Sequence, residues 1–168
     1  MIDLKQQFSR GEVCEIVAMS RGRLTDWVNR GIITPVDANP GTGARRTFTI
    51  NAVLHLAVMS RLVDAGLLPG DANPMGQVAS IILEDELRAK GSAFDAANSN
   101  WVLCKQIPHA ANRDPYTFFA RRDGYGLKNL EGNSVAIDGT LMAFDLLPGL
   151  APVFKRLALI SQDANNAE

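Results

Sequence analysis

Residues 20–36 read SRGRLTDWVNRGIITPV, and the way this stretch starts and stops decides the fold of the first third of the chain. Ser20 carries the side-chain oxygen of a helix N-cap. Leu24, Trp27 and Val28 then recur at spacings of three and four, which places them on one helical face. Gly31 stands at the C-terminal stop, where a residue without Cβ takes the left-handed backbone that closes a helix. The preceding SRGEVCEIVAM (9–19) obeys the same rules: Ser9 and Glu12 have capping-box spacing, and Val13, Ile16 and Val17 share a face. Two short capped helices are therefore expected, separated by a few residues around Met19.

Working outward, IITPV (32–36) has the β-branched content of a short strand ended by Pro35, and RRTFTI (45–50) is its expected partner. NPGTGARRTF (39–48) then reads as the tip of a β-hairpin. Thr49 or Asn51 starts the next helix, with Val53, Leu56, Ala57, Ser60 and Val63 along its stripe and Gly66 at its end. LLPGDANPMG (67–76) concentrates Pro, Gly and Asn, which places a domain boundary there and divides the chain into 1–70 and 71–168. Asn73 is the expected cap of a further helix with Pro74 in its first position, running to Lys90 and stopped by Gly91.

Beyond a polar spacer, WVLCKQI (101–107), YTFFARR (116–122), SVAID (134–138) and TLMAFDL (140–146) have strand composition, and Asp138-Gly139 is a short hairpin signal. An antiparallel meander of three or four strands follows from this. LPGLAPVFKRLALIS (147–161) closes the chain as a short helix with Val153, Phe154, Leu157 and either Leu159 or Ile160 in one stripe, and 162–168 read as a frayed tail. The fold class expected is α+β: a winged helix-turn-helix followed by a small domain of antiparallel meander and flanking helices.

The 168 residues carry a formal net charge of −1, but the charge is unevenly divided. Met1–Leu62 holds 8 Lys/Arg against 5 Asp/Glu, whereas the rest holds 9 against 13. Apart from Lys5, the cations of the first part are all arginines, the side chain suited to bidentate phosphate and guanine contacts. A basic head and an acidic body are the simplest reading. No run of about 18 apolar residues marks a membrane span, and MIDLKQQFSR lacks the basic start and apolar centre of a secretory signal, so a cytoplasmic location is expected. Cys14 and Cys104 sit in no CxxC and beside no histidine, which favours reduced thiols over a metal site or disulfide.

GTGARRT (41–47) invites a nucleotide-loop reading, which fails three times. Arg replaces the required Lys, Pro35 breaks the upstream strand, and a strand rather than a helix follows. His55 lies among apolar neighbours on a predicted helix and His109 follows a proline, with no nucleophile at a telling spacing. Glu84–Glu86 is a consecutive triplet that points three ways on a helix and reads as a solvated face. No catalytic constellation can be assembled, so neither an enzyme nor a cofactor is expected.

The head is more specific. Arg21 and Arg23 occupy the first turn of the second helix, where the helix dipole prefers acids, and Gly22 between them is a poor helix former that permits close approach to a sugar–phosphate chain. FSRGEVCEIVAMSRGRLTDWVNRGIITPV, followed by GARRTFTINAVLHLAVMSRLVDAGL, resembles the MerR-type winged helix-turn-helix, also used by small phage excisionases and some terminase small subunits. The resemblance covers roughly residues 8–68.

It implies a sequence-specific double-stranded-DNA-binding transcription regulator, with Arg21, Gly22, Arg23 and Thr25 on the recognition helix and Arg45, Arg46 and Thr47 on the wing. Thr25 stands where many members have arginine, and Phe48 replaces the usual tyrosine. The family's dimerisation coil is absent after Leu68, so a homodimer would use the body. Phe154, Leu157 and Ile160 are the candidate contact, with core packing as the other use of the same stripe. Two alternatives remain: an excisionase-like architectural factor, or a module that binds a protein partner or small ligand through its C-terminal domain.

Overall fold

Ser9 and Ser20 each turn the chain into a helix. β1 (Gln7–Ser9) runs directly into α1 (Arg10–Val17), where Ser9 Oγ accepts from the Glu12 N–H and the Glu12 carboxylate accepts from the Ser9 N–H. α2 (Arg21–Asn29) opens where Ser20 Oγ accepts from the Arg23 N–H at 3.2 Å. It ends on Gly31, which takes φ +69° so that its N–H reaches Val28 O while the Ile32 N–H reaches Trp27 O. α1 ends by the same hydrogen-bond pattern without a glycine: Ala18 adopts φ 58°, ψ 44°, and the Met19 N–H reaches Cys14 O at 3.0 Å. The computed structural model describes residues 4–36, 46–90, 101–107, 116–123, 126–128, 140–144 and 147–166.

The expected hairpin between 32–36 and 45–50 is corrected. β2 (Thr47–Thr49) pairs antiparallel with β1, not with IITPV, in the register Gln7↔Thr49, Phe8↔Phe48, Ser9↔Thr47. Phe8 and Phe48 are both fully buried, and burying each stabilises the fold by roughly 1.5–3 kcal/mol. Residues 32–36 form no strand because Ile33 and Pro35 turn into the core and Pro35 has no N–H to give. One bond, Val36 N–H to Thr47 O at 2.9 Å, ties this segment to β2. Residues 37–45, which include most of the expected hairpin tip at 39–48, lie outside the described residues.

Thr49 caps α3 (Ile50–Asp64), its Oγ1 accepting from the Ala52 N–H. This helix is buried nearly all round, from Ile50 through Leu62, because α1, β2, α4 and α5 all pack on it. α4 (Pro69–Lys90) begins five residues earlier than the expected start at Pro74, which lies inside it. Pro69 rather than Pro74 holds the opening position, and the Asp71 and Ala72 N–H groups both turn back to Leu68 O. The Pro/Gly/Asn-rich stretch is therefore mostly helix.

A four-stranded antiparallel sheet follows, built from β3 (Trp101–Ile107), β4 (Tyr116–Asp123), β5 (Gly126–Lys128) and β6 (Thr140–Phe144) in the order β5-β4-β3-β6. β6 lies against β3, Cys104 opposite Ala143, so the order is not that of one continuous four-strand meander. SVAID and its Asp138-Gly139 turn lie outside the described residues. α5 (Leu147–Asn166) continues past the expected helix end at Ser161 into the expected tail. Its Leu150, Val153, Phe154 and Leu157 join Phe8, Trp27, Phe48, Leu56, Leu83 and Leu103 in a single hydrophobic core.

Candidate nucleic-acid interface

Three residues, Ala18 to Ser20, separate α1 from α2, and the left-handed backbone at Ala18 sets their angle. Leu24 and Trp27 are buried and fix α2 by its inner face, which leaves Arg21 and Gly22 exposed at the start of the helix. The Arg21 carbonyl is a junction. It accepts from Thr25 Oγ1 at 2.6 Å and from Arg10 Nη2, across the turn, at 3.2 Å. Arg10 was not among the residues singled out from the sequence. The signal was there, since Ser-Arg-Gly occurs at 9–11 as well as at 20–22.

Arg23 is placed otherwise. Its Nη1 donates to Asp64 Oδ1 at 3.0 Å and to Ser60 Oγ at 3.3 Å, and its guanidinium lies 5.3 Å from the centre of the Trp27 ring. Ser60 and Asp64 are four residues apart on one face of α3, so Arg23 joins α2 to α3. Thr25, with its hydroxyl spent on its own helix backbone, presents mainly its methyl group. At the other end of α2, Arg30 and Asp26 form an exposed pair at 3.4 Å.

Arg46 is exposed immediately before β2, and Thr47 Oγ1 donates to Gln7 Oε1 at 2.7 Å within the two-stranded sheet. Arg45 lies outside the described residues. Arg21, Gly22 and Arg46 are thus open to a partner, Arg23 and Thr47 have side-chain partners within the chain, and Thr25 bonds its own helix.

The body reaches the head through α5. Arg156 Nη1 donates to Glu15 O at 2.8 Å and to Ile16 O at 3.1 Å, satisfying carbonyls in the last turn of α1. Phe154 and Leu157 are buried in the chain's own core and offer no surface to a second chain, which corrects their use as dimer contacts; Ile160 is half-buried and its neighbour Leu159 exposed. Core packing wins because α1 and α3 cover that stripe.

Among the described residues no group of three His, Cys, Asp or Glu could hold a metal ion. Cys14 is half-buried beside Arg10 and Arg21; burial pushes its thiol up, against the pull of the two guanidinium groups. His55 is buried between α3 and α4, where desolvation lowers its pKa against opposing polar contacts from Asn73. Glu84 is not simply solvated: it accepts from Asn51 Nδ2 at 3.0 Å and from Arg88 at 3.1 Å. Among the described residues, no helix is long and apolar enough to cross a membrane.

Residues 8–74, which span β1 to the first turns of α4, match the family described as MerR HTH family regulatory protein. No curated protein matches the chain.

Proposed function

We propose, from the premise that the N-terminal segment is a MerR-type helix-turn-helix, that the chain is a sequence-specific double-stranded-DNA-binding transcription regulator. The observation that carries this is the family match over the same residues whose second helix exposes Arg21 and Gly22 at its start. A helix so presented can enter the major groove, where an arginine reads guanine O6 and N7 bidentately. Arg21 takes that role. Arg23, held by Asp64 and Trp27, fixes the angle at which α2 leaves the core. Arg46, with Arg45, supplies the backbone contacts of the wing.

The labour divides near residue 70. Residues 1–70 bind DNA, and 71–168 brace the head and bring in a second copy or another partner. One head has a small interface and modest affinity, so paired half-sites are expected. On α5 the exposed Leu159 and the half-buried Ile160 remain for contact with a second copy.

Selection of bound duplexes from a random pool tests the proposal. Enrichment of one motif, symmetric about its centre, with affinity that falls steeply as salt rises, is the expected result. A pool without enrichment, or binding indifferent to salt, would overturn it in favour of a protein-docking or ligand-binding head.

A further inference from the structure

The repeated Ser-Arg-Gly has the same structural meaning both times. Ser9 and Ser20 are N-caps, Arg10 and Arg21 the first helical residues, and Gly11 and Gly22 the second. All four of these arginines and glycines are exposed. The bond from Arg10 Nη2 to Arg21 O holds the two helix starts next to each other on one surface.

Neither glycine is required by the chain itself. Gly11 and Gly22 do not have positive φ. A Cβ at Gly11 would meet only Ser9 Oγ at 3.9 Å, and one at Gly22 only Ser20 Oγ at 4.0 Å, both ordinary contacts. Alanine would serve both helices better, since glycine is the more costly residue in a helix. The absent side chains therefore leave room outside the chain, beside two guanidinium groups.

We propose that the paired starts hold the sugar–phosphate strand of a bound duplex. Arg10 takes a phosphate, Gly11 and Gly22 let the strand approach the helix backbone, and the Arg10 bond to the Arg21 carbonyl fixes the position from which Arg21 reaches the bases. This rests on the DNA-binding reading and assigns to it two residues, Arg10 and Gly11, that the recognition helix alone does not include. A phosphate contact is blind to sequence, so it can be tested without knowing the operator.

The test uses the full-length chain and a random-sequence duplex of about three helical turns, titrated between about 50 and 200 mM salt. Arg10→Ala is expected to lower the slope of log affinity against log salt by about one. Arg30→Ala, the same charge change at the far end of α2, leaves that slope unaltered. The double variant Gly11→Ala/Gly22→Ala is expected to melt at the same or a higher temperature and yet to bind about tenfold more weakly. A purely structural role for the glycines predicts the opposite pairing, lower melting temperature with unaltered binding by the folded fraction. An unchanged slope for Arg10→Ala, or wild-type affinity in the glycine variant, overturns the clamp while leaving the DNA-binding reading in place. Failure of the wild-type chain to bind the duplex at the lowest salt overturns both.

Discussion

Arg23 and Asp64 meet at 3.0 Å, forty-one residues apart in the chain, and so fasten α2 to the end of α3. Both side chains are partly exposed, which limits the pair's worth to roughly 0–1 kcal/mol of stability. Its other effect is electrostatic, because Asp64 cancels one of the cations of the head.

Asp64→Asn should therefore change binding more than folding. Stability falls by less than about 1 kcal/mol, while the uncompensated Arg23 raises affinity for a random duplex at low salt by roughly threefold. Paired denaturation and salt-titration curves check this. Unchanged or weaker binding at low salt would show that Asp64 does not moderate the head's charge.

Arg46→Ala and Arg21→Ala should separate grip from reading. Arg46 is exposed at the start of β2 and its loss should weaken binding to all duplexes alike, reducing the salt slope by about one. Arg21→Ala should in addition flatten base preference at one position, at a cost of about 1–3 kcal/mol in discrimination. Competition binding against single-base operator variants distinguishes the two.

The local rules of the head were legible because they act within a few residues. Ser9, Glu12, Ser20 and Gly31 do what their spacing says, and residues 8–74 match the family whose motifs carried the resemblance. Partners distant in the chain were not legible. Phe48 finds Phe8 rather than the nearby IITPV, Arg23 finds Asp64, and Arg156 finds the end of α1, because each choice depends on how α3 is enclosed. Asn73-Pro74 is the better helix opener by local chemistry, yet α4 opens at Pro69 and packs along α3, a long-range choice that cap residues do not announce. Arg10 was legible only as the repeat of Ser-Arg-Gly at 9–11, because the bond it makes is to a backbone carbonyl, that of Arg21.

Ala18→Gly should stabilise the chain. Ala18 holds φ 58° at the end of α1, a left-handed conformation that costs a residue with Cβ roughly 1 kcal/mol relative to glycine. Part of that gain is lost to the greater freedom of glycine in the unfolded chain, so a net increase of about 0.5 kcal/mol is expected in chemical denaturation. A loss of stability would mean that the turn between α1 and α2 is held by contacts of the Ala18 methyl group.

Gly76→Ala should do the reverse. α4 approaches α3 so closely there that a Cβ would lie 2.5 Å from His55 Cδ2 and 3.3 Å from the His55 carbonyl oxygen. The ring can move only by disturbing a buried interface, and the carbonyl only with its helix. A cost on the order of 1–3 kcal/mol follows, although alanine is the better helix former. A melting temperature at or above wild type would show that the two helices can separate freely.

His55 itself should make stability depend on pH in the interval between its lowered folded pKa and the ordinary value of 6.5. Burial lowers its folded pKa below the ordinary value of 6.5, so in this interval the unfolded chain binds more protons than the folded one. Stability rises with pH wherever that holds. The contribution of neutral His55 is thus fully present above its unfolded pKa and is lost as the pH falls toward the lower folded value. Protonation would place a charge between α3 and α4, where the His55 Nε2 has no hydrogen-bond partner among the described residues. His55→Gln, which cannot titrate, should flatten the dependence over this range relative to wild type. Equal slopes in the two proteins would place the acid sensitivity outside the α3–α4 interface.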